Sequence, residues 1–196
     1  MKIFYQLSTH WDREWYRPFQ GFRYYLVETV DRLIDALEKE EISVFSFDGQ
    51  TIVIEDYLEA RSENAKRLTA LIKNGRIKVG PWYVMPDELT VSGESLVENF
   101  LLGHSIAKKY GTTAWKFGYV NDVFGHIAQF PQILNGFGIN GAYLGRGAGR
   151  ERQFIWKSPD NSECFVFNYV YANLKRAFDE STDKKSFLAD FIKGNL

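Results

Sequence analysis

Three side chains in this sequence could do chemistry together: His10 and Asp12 in the run Thr9-His10-Trp11-Asp12-Arg13-Glu14-Trp15-Tyr16, and Asp122 in Asn121-Asp122-Val123-Phe124-Gly125-His126. Side chains two apart in an extended segment point to one face, so an extended His10-x-Asp12 aims an imidazole and a carboxylate at the same spot. That is two-thirds of a minimal metal site, and nitrogen with oxygen donors suits zinc or a similar divalent ion. Trp15 follows closely, and a flat apolar ring beside a metal is a platform for the face of a sugar. Taken alone the motif is weak, and its plainer reading is a surface turn of mixed charge.

Asp122 strengthens the case through the element that must carry it. Trp115–Val120 reads as a buried strand, and Asp122 falls just past its C-terminal end. Functional groups of α/β folds gather in loops at the C-terminal ends of parallel strands, and both Asp12 and Asp122 sit where such loops belong. With His10 they give three potential ligands, one of them a carboxylate free to do more than hold a metal.

The remaining elements alternate. Strand-like Lys2–Leu7 leads into the His10 loop, and an amphipathic helix follows with Val27, Val30, Leu33, Ile34 and Leu37 on one stripe. Val44–Phe47 predicts a short strand ending in the turn signal Asp48-Gly49. A helix with Val53, Ile54 and Tyr57 comes next, then one from about Asn64 to Lys73 closed by Asn74-Gly75. Ile77–Val79 predicts a strand. Ser92 or Ser95 can cap a helix running to Tyr110, with Gly111 ending it. Ile127 to Leu134 reads as a short helix interrupted by Pro131, and further strands are expected at Gly141–Leu144 and Cys164–Tyr171. This alternation implies an α/β fold with a mostly parallel sheet. The charged helical tail Phe187–Leu196 has no evident partner.

Composition sets outer limits. With 196 residues, 45% of them hydrophobic, the chain can bury one sizeable core and fits a single domain. A formal net charge of -1 with scattered Lys and Arg gives no electrostatic case for nucleic acid or membrane. The N-terminus lacks the basic-then-apolar pattern of a signal peptide, and the single cysteine, Cys164, cannot form an internal disulfide. Together these suggest a cytoplasmic protein.

Four segments in order carry a resemblance: T-H-W-D-R-E-W-Y at 9–16, F-D-G-Q at 47–50, G-P-W-Y-V-M-P-D-E at 80–88 and N-D-V-F-G-H at 121–126. They resemble the motifs of glycoside hydrolase family 38, the α-mannosidases, over nearly the whole chain. The likeness is to the bacterial cytoplasmic branch, which includes mannosylglycerate hydrolases and α-mannosidases of short mannosides. The resemblance implies a retaining mechanism assisted by one zinc ion (Zn2+). His10 and Asp12 match the first two zinc ligands, and Asp122 matches the residue that both ligates zinc and attacks the anomeric carbon. Trp15 and Phe124 match aromatic residues lining the mannose pocket, and Arg146 falls where the family has a substrate-binding arginine. The family's fourth zinc ligand, a histidine, and its general acid, an aspartate, have no match in these residues.

The resemblance also implies a fold: most of a seven-stranded β/α barrel, truncated, with residues 1–196 the N-terminal part of the family's catalytic domain. The expected partners are a small mannoside or mannosylglycerate and the remainder of a longer enzyme; a homo-oligomer is left open. Asn121 and Val123 depart from the Pro and the Ser or Pro that many relatives have beside the nucleophile. Little turnover of a natural substrate is expected from this chain alone, because an unprotonated leaving group is expelled readily only from activated aryl mannosides. Two rivals remain: a metal-dependent polysaccharide deacetylase, whose H-x-x-x-H motif is missing, and a carbohydrate-binding fragment that does not cleave.

Other polar residues have plainer readings. His104 lies on the apolar stripe of its helix and reads as a core histidine. His126 is expected to cap the helix that follows or to orient Asp122. Asp48 reads as a turn residue, and Arg13 with Glu14 as a local ion pair. Gln50, Asp87 and Glu88 divide evenly between support of the site and ordinary surface positions.

Overall fold

The structure, a computed structural model, describes residues 7–168 and Asp183. The predicted strand Lys2–Leu7 lies outside these residues apart from Leu7, as do the end of Cys164–Tyr171 and the tail Phe187–Leu196. The elements in order are α1 (Phe19–Glu38), β1 (Phe45–Ser46), α2 (Ile52–Ala60), a 3-10 turn (Ser62–Asn64), α3 (Ala65–Lys73), β2 (Ile77–Lys78) and α4 (Gly93–Lys109). Then come β3 (Gly118–Val120), α5 (Phe130–Gly136), β4 (Gly141–Leu144), β5 (Gln153–Lys157) and β6 (Glu163–Asn168).

Helix boundaries follow local chemistry. The α1 stripe Phe22, Leu26, Val30, Leu33, Ile34 and Leu37 is buried at helical spacing. At the end of α3, Gly75 takes φ 69, Gly75 N–H donates to Ile72 O and Arg76 N–H to Leu71 O. That pattern satisfies carbonyls the helix leaves open, and a left-handed residue there favours glycine. Ser92 caps α4, its Oγ accepting from Ser95 N–H at 3.1 Å. Pro131 occupies the first turn of α5 rather than interrupting a helix. A missing N–H costs nothing there, because those donors have no partner within the helix anyway.

Among the described residues the strands form two sheets. β1 and β2 pair in parallel, and a second sheet runs β3-β4-β6-β5. β3–β4 and β4–β6 are parallel, while β5 lies antiparallel on the edge against β6. Single bridges extend the arc: Ser8 pairs with Ser46, Gln50 with Trp82, and Trp115 N–H donates to Val79 O at 2.8 Å. The parallel order with intervening helices is what β-α-β connections produce. The sheets do not close into the expected seven-stranded barrel among the described residues, and antiparallel β5 is an element the strand predictions omit.

Two apolar clusters hold the layers. One joins α1, α2 and α3 to β1 and β2 through residues such as Leu26, Ile34, Tyr57, Leu68 and Ile77. The other fills the space under β3, β4 and β6 with Trp82, Phe100, Val120, Phe130, Ala142 and Val166. Trp82 is fully buried, and its indole N–H donates to Tyr119 O at 2.9 Å. Replacing Trp82 with Phe removes that hydrogen bond, which costs about 0.5–1.5 kcal/mol. Urea unfolding of the variant is expected to show the loss; an unchanged midpoint and slope would contradict the role given to this bond.

Candidate active site

The polar side chains of the site leave their strands at the same end. His10 and Asp12 follow the bridge at Ser8, Asp48 follows β1, Asp122 follows β3 and Arg146 follows β4. Parallel strands send their C-terminal ends to one edge, so four separate loops reach a common place.

His10 is the hub. Its Nε2 lies 3.2 Å from Asp122 Oδ2 and 3.5 Å from Asp12 Oδ1. Its Nδ1 lies 2.7 Å from Asp48 Oδ2, which also accepts from Trp11 N–H at 3.2 Å. The Asp48 side chain has no exposed surface. Asp48 and Gly49 take φ 55 and 74, so the turn expected there exists, and its left-handed course brings the carboxylate of Asp48 to His10. Asp tolerates this conformation better than most residues. The turn reading of Asp48 was incomplete: the residue is a buried partner of His10.

Titration follows from these contacts. Burial alone would lower the pKa of His10, but the hydrogen bond and charge of Asp48, with the charge of Asp12, outweigh it and raise the group above its ordinary range, Arg146 opposing them. Burial pushes Asp48 up, against the hydrogen bond and charge of His10.

Asp122 has a second partner. The Arg146 guanidinium forms an ion pair with its Oδ1 and lies over the Phe124 ring, 5.0 Å from the centroid. Phe124 is largely exposed beside the pair. Trp15, also exposed, sits edge-on to Tyr16 with ring centroids 5.0 Å apart. The structure therefore gathers His10, Asp12, Asp122 and Arg146, sets Phe124 against Arg146, and leaves Trp15 on the rim of the His10 loop.

Arg13 corrects an expectation. It pairs with Asp56 on α2, not with Glu14, through two bonds of 2.7 and 2.8 Å. A bidentate arginine on a buried carboxylate is a strong tie, and it pins the loop carrying His10 to the first helical layer. Gln50 adds a cross-brace, donating to Trp11 O at 3.0 Å and accepting from Met85 N–H at 3.1 Å. His126 neither caps α5 nor contacts Asp122; its ring nitrogens meet Glu88 Oε1 and Arg146 O. Glu88 is buried, not a surface acid, whereas Asp87 shapes the next turn by accepting from Thr90. His104 packs against Phe100 and Phe137, as a core histidine would.

The donor types, one imidazole and two carboxylates, suit a divalent metal. Two donors at 2.0–2.1 Å from a tetrahedral zinc stand about 3.3 Å apart, close to the His10–Asp122 and His10–Asp12 separations of 3.2 and 3.5 Å. As they stand, no three or more His, Cys, Asp or Glu side chains among the described residues are grouped so as to hold an ion.

With this geometry the relatives can be placed. Residues 1–191 match the glycosyl hydrolases family 38 N-terminal domain. The chain belongs to that family. It is 38% identical over 181 residues to a protein of Halalkalibacterium halodurans named "Putative mannosylglycerate hydrolase", covering 84% of this chain and 20% of that protein. It is 27% identical over 149 residues to alpha-mannosidase 2 of Spodoptera frugiperda, covering 74% of this chain and 13% of the relative. The fold matches the crystal structure of an alpha-mannosidase from Enterococcus faecalis V583 with a TM-score of 0.86 and 31% identity, over 96% of this chain and 22% of that one. The chain thus spans about a fifth or less of the length of these family 38 relatives.

Asp48→Asn removes the charge that holds the pKa of His10 up. A histidine whose folded pKa exceeds its unfolded value stabilises the fold fully below about pH 6.5, and that contribution is lost as pH rises through the folded pKa. In chelator-treated protein, NMR titration is expected to show the His10 pKa falling in the variant, with its share of acid-side stability shrinking. A value unchanged or raised would contradict the assignment.

Proposed function

We propose that this chain carries the nucleophile half of a retaining, zinc-assisted α-mannosidase site, acting in the cytoplasm on terminal α-mannosides or mannosylglycerate. The observation that carries the reading is Asp122: a carboxylate at a strand end, flanked by His10 and Arg146, within a family 38 chain. The relatives' names support the substrate class.

The attacking group of a retaining glycosidase is an ionised carboxylate. The Asp122 carboxylate attacks the anomeric carbon, the bond to the leaving oxygen breaks, and an ester to the sugar forms. The leaving oxygen takes its proton from a second carboxyl group, which then draws a proton from the water that cleaves the ester. The reading assigns that acid to none of the described residues. Arg146 supplies the counter-charge that holds Asp122 in line, and Phe124 and Trp15 offer apolar faces to the sugar. His10, Asp12 and Asp122 would hold the zinc, which when bound supplies Lewis-acid contact to sugar hydroxyls and helps distort the ring.

The test is hydrolysis of an aryl α-mannoside by zinc-loaded protein, with Asp122→Asn alongside. Turnover sensitive to chelator and reduced roughly 10³-fold or more in the variant is expected, the scale of loss when a covalent nucleophile is removed. Turnover that survives Asp122→Asn would contradict the assignment. Mannoside binding without turnover, unaffected by the substitution, would instead mark a carbohydrate-binding role.

A further inference from the structure

Behind the site lies a second polar cluster that the proposed chemistry does not use. The side chains of Glu88 and His126 are 0% and 4% exposed, among apolar neighbours: the His126 ring faces Phe130, centroids 6.4 Å apart, and meets Trp156 edge-on at 5.7 Å. Burying such a pair away from water is costly unless its hydrogen bonds are satisfied. Here they are. Glu88 Oε1 meets His126 Nδ1 at 2.9 Å, and Glu88 Oε2 accepts from Ile127 N–H at 3.0 Å. His126 Nε2 lies 2.8 Å from the main-chain carbonyl of Arg146.

That last contact fixes a proton. A carbonyl oxygen can only accept, so Nε2 must carry hydrogen. The requirement holds whether the proton between Glu88 and Nδ1 rests on the carboxylate or on the ring. Burial alone would lower the pKa of His126, and Glu88 with the Arg146 carbonyl raises it overall.

The same residue whose carbonyl is held sends its guanidinium to Asp122. Farther along the same loop Asn168 Nδ2 donates to the carbonyls of Ala148, Gly149 and Glu151, so the His126 contact holds the Arg146 end. A cavity of about 490 Å³ opens there, lined by Leu144, Gly147, Arg150, Phe154 and Trp156 as well as His126. Gly147 lets the chain pass so close: its φ is 83, and a Cβ there would stand 2.9 Å from His126 Nε2.

We propose that the Glu88–His126 pair is a positioning device: Glu88 fixes the ring so that His126 Nε2–H clamps the Arg146 carbonyl, and the clamped loop sets the guanidinium on Asp122. The three loops after β2, β3 and β4 are joined through one ring. The device deepens the reading of Asp122 as nucleophile and rests on it only for its effect on rate.

The amide of Gln at position 88 can accept from Ile127 N–H and donate to Nδ1, leaving Nε2–H in place; Ala can do neither. The chain has three histidines, so 15N-histidine NMR reads His126 directly, and the Arg146 Nε signal reports its ion pair. In the wild-type chain and in Glu88→Gln, Nε2 is expected to be protonated at neutral pH. In Glu88→Ala the Nε2 proton is expected to become labile and the Arg146 signal to move toward that of a free guanidinium. On an aryl α-mannoside, Glu88→Ala is expected to lower kcat on the order of a hundredfold with KM changed little, the scale set by a small misplacement of a reacting group, and Glu88→Gln to restore most of it. A bare Nε2 in the wild type, or an Arg146 signal indifferent to Glu88→Ala, would overturn the proposal. If the wild type hydrolyses no aryl α-mannoside, it is the reading of function that fails, and the spectra still decide the clamp.

Discussion

The contact between Asp48 and His10 governs how the rest of the site is arranged. A carboxylate with no exposed surface, placed by a left-handed turn at the end of β1, faces Nδ1 of the imidazole at 2.7 Å. Such a pair orients the ring and leaves Nε2 directed at Asp12 and Asp122. A buried carboxylate without a compensating partner is strongly unfavourable, so the fold holds Asp48 only with His10 beside it. The His10 loop is accordingly braced from outside, by Arg13 on Asp56 and by Gln50 between Trp11 and Met85.

Neighbouring loops are tied to one another in the same way, by polar side chains. Gln50 joins the His10 loop to the segment after β2, Glu88 and His126 join that segment to the loops after β3 and β4, and Arg146 returns to Asp122. Apolar packing lies beneath, in the cluster around Trp82, Phe100 and Phe130. The layering separates tasks: the core fixes where strands end, and directional bonds fix where side chains point.

Much of this was legible in the residues. The helical stripe of α1, the cap at Ser92 and the stop at Gly75 were readable because each is local, set by residues within a turn or two. His10, Asp12 and Asp122 could be singled out because donor type and strand-end position coincide. What stayed hidden depends on partners far apart in sequence. Arg13 was paired with its neighbour Glu14 because nothing local points to Asp56, 43 residues away. Asp48 reads correctly as a turn residue and Glu88 divides between site support and surface, and neither shows its burial, because burial is a property of the folded sheet. The strand β5 alternates exposed and half-buried residues over Gln153–Lys157, but its sequence places Phe154, Ile155 and Trp156 in one apolar run, so the alternation exists only in the folded sheet.

The central proposal is that His10, Asp12 and Asp122 hold one metal ion, with His10 oriented by Asp48. Calorimetric titration of zinc into the chelator-treated chain, with His10→Ala and Asp48→Asn in parallel, tests this most directly. The prediction is one ion per chain, binding lost in His10→Ala and weakened about 10–100-fold in Asp48→Asn. Absence of saturable binding in the folded wild type, or binding undiminished in His10→Ala, would contradict it.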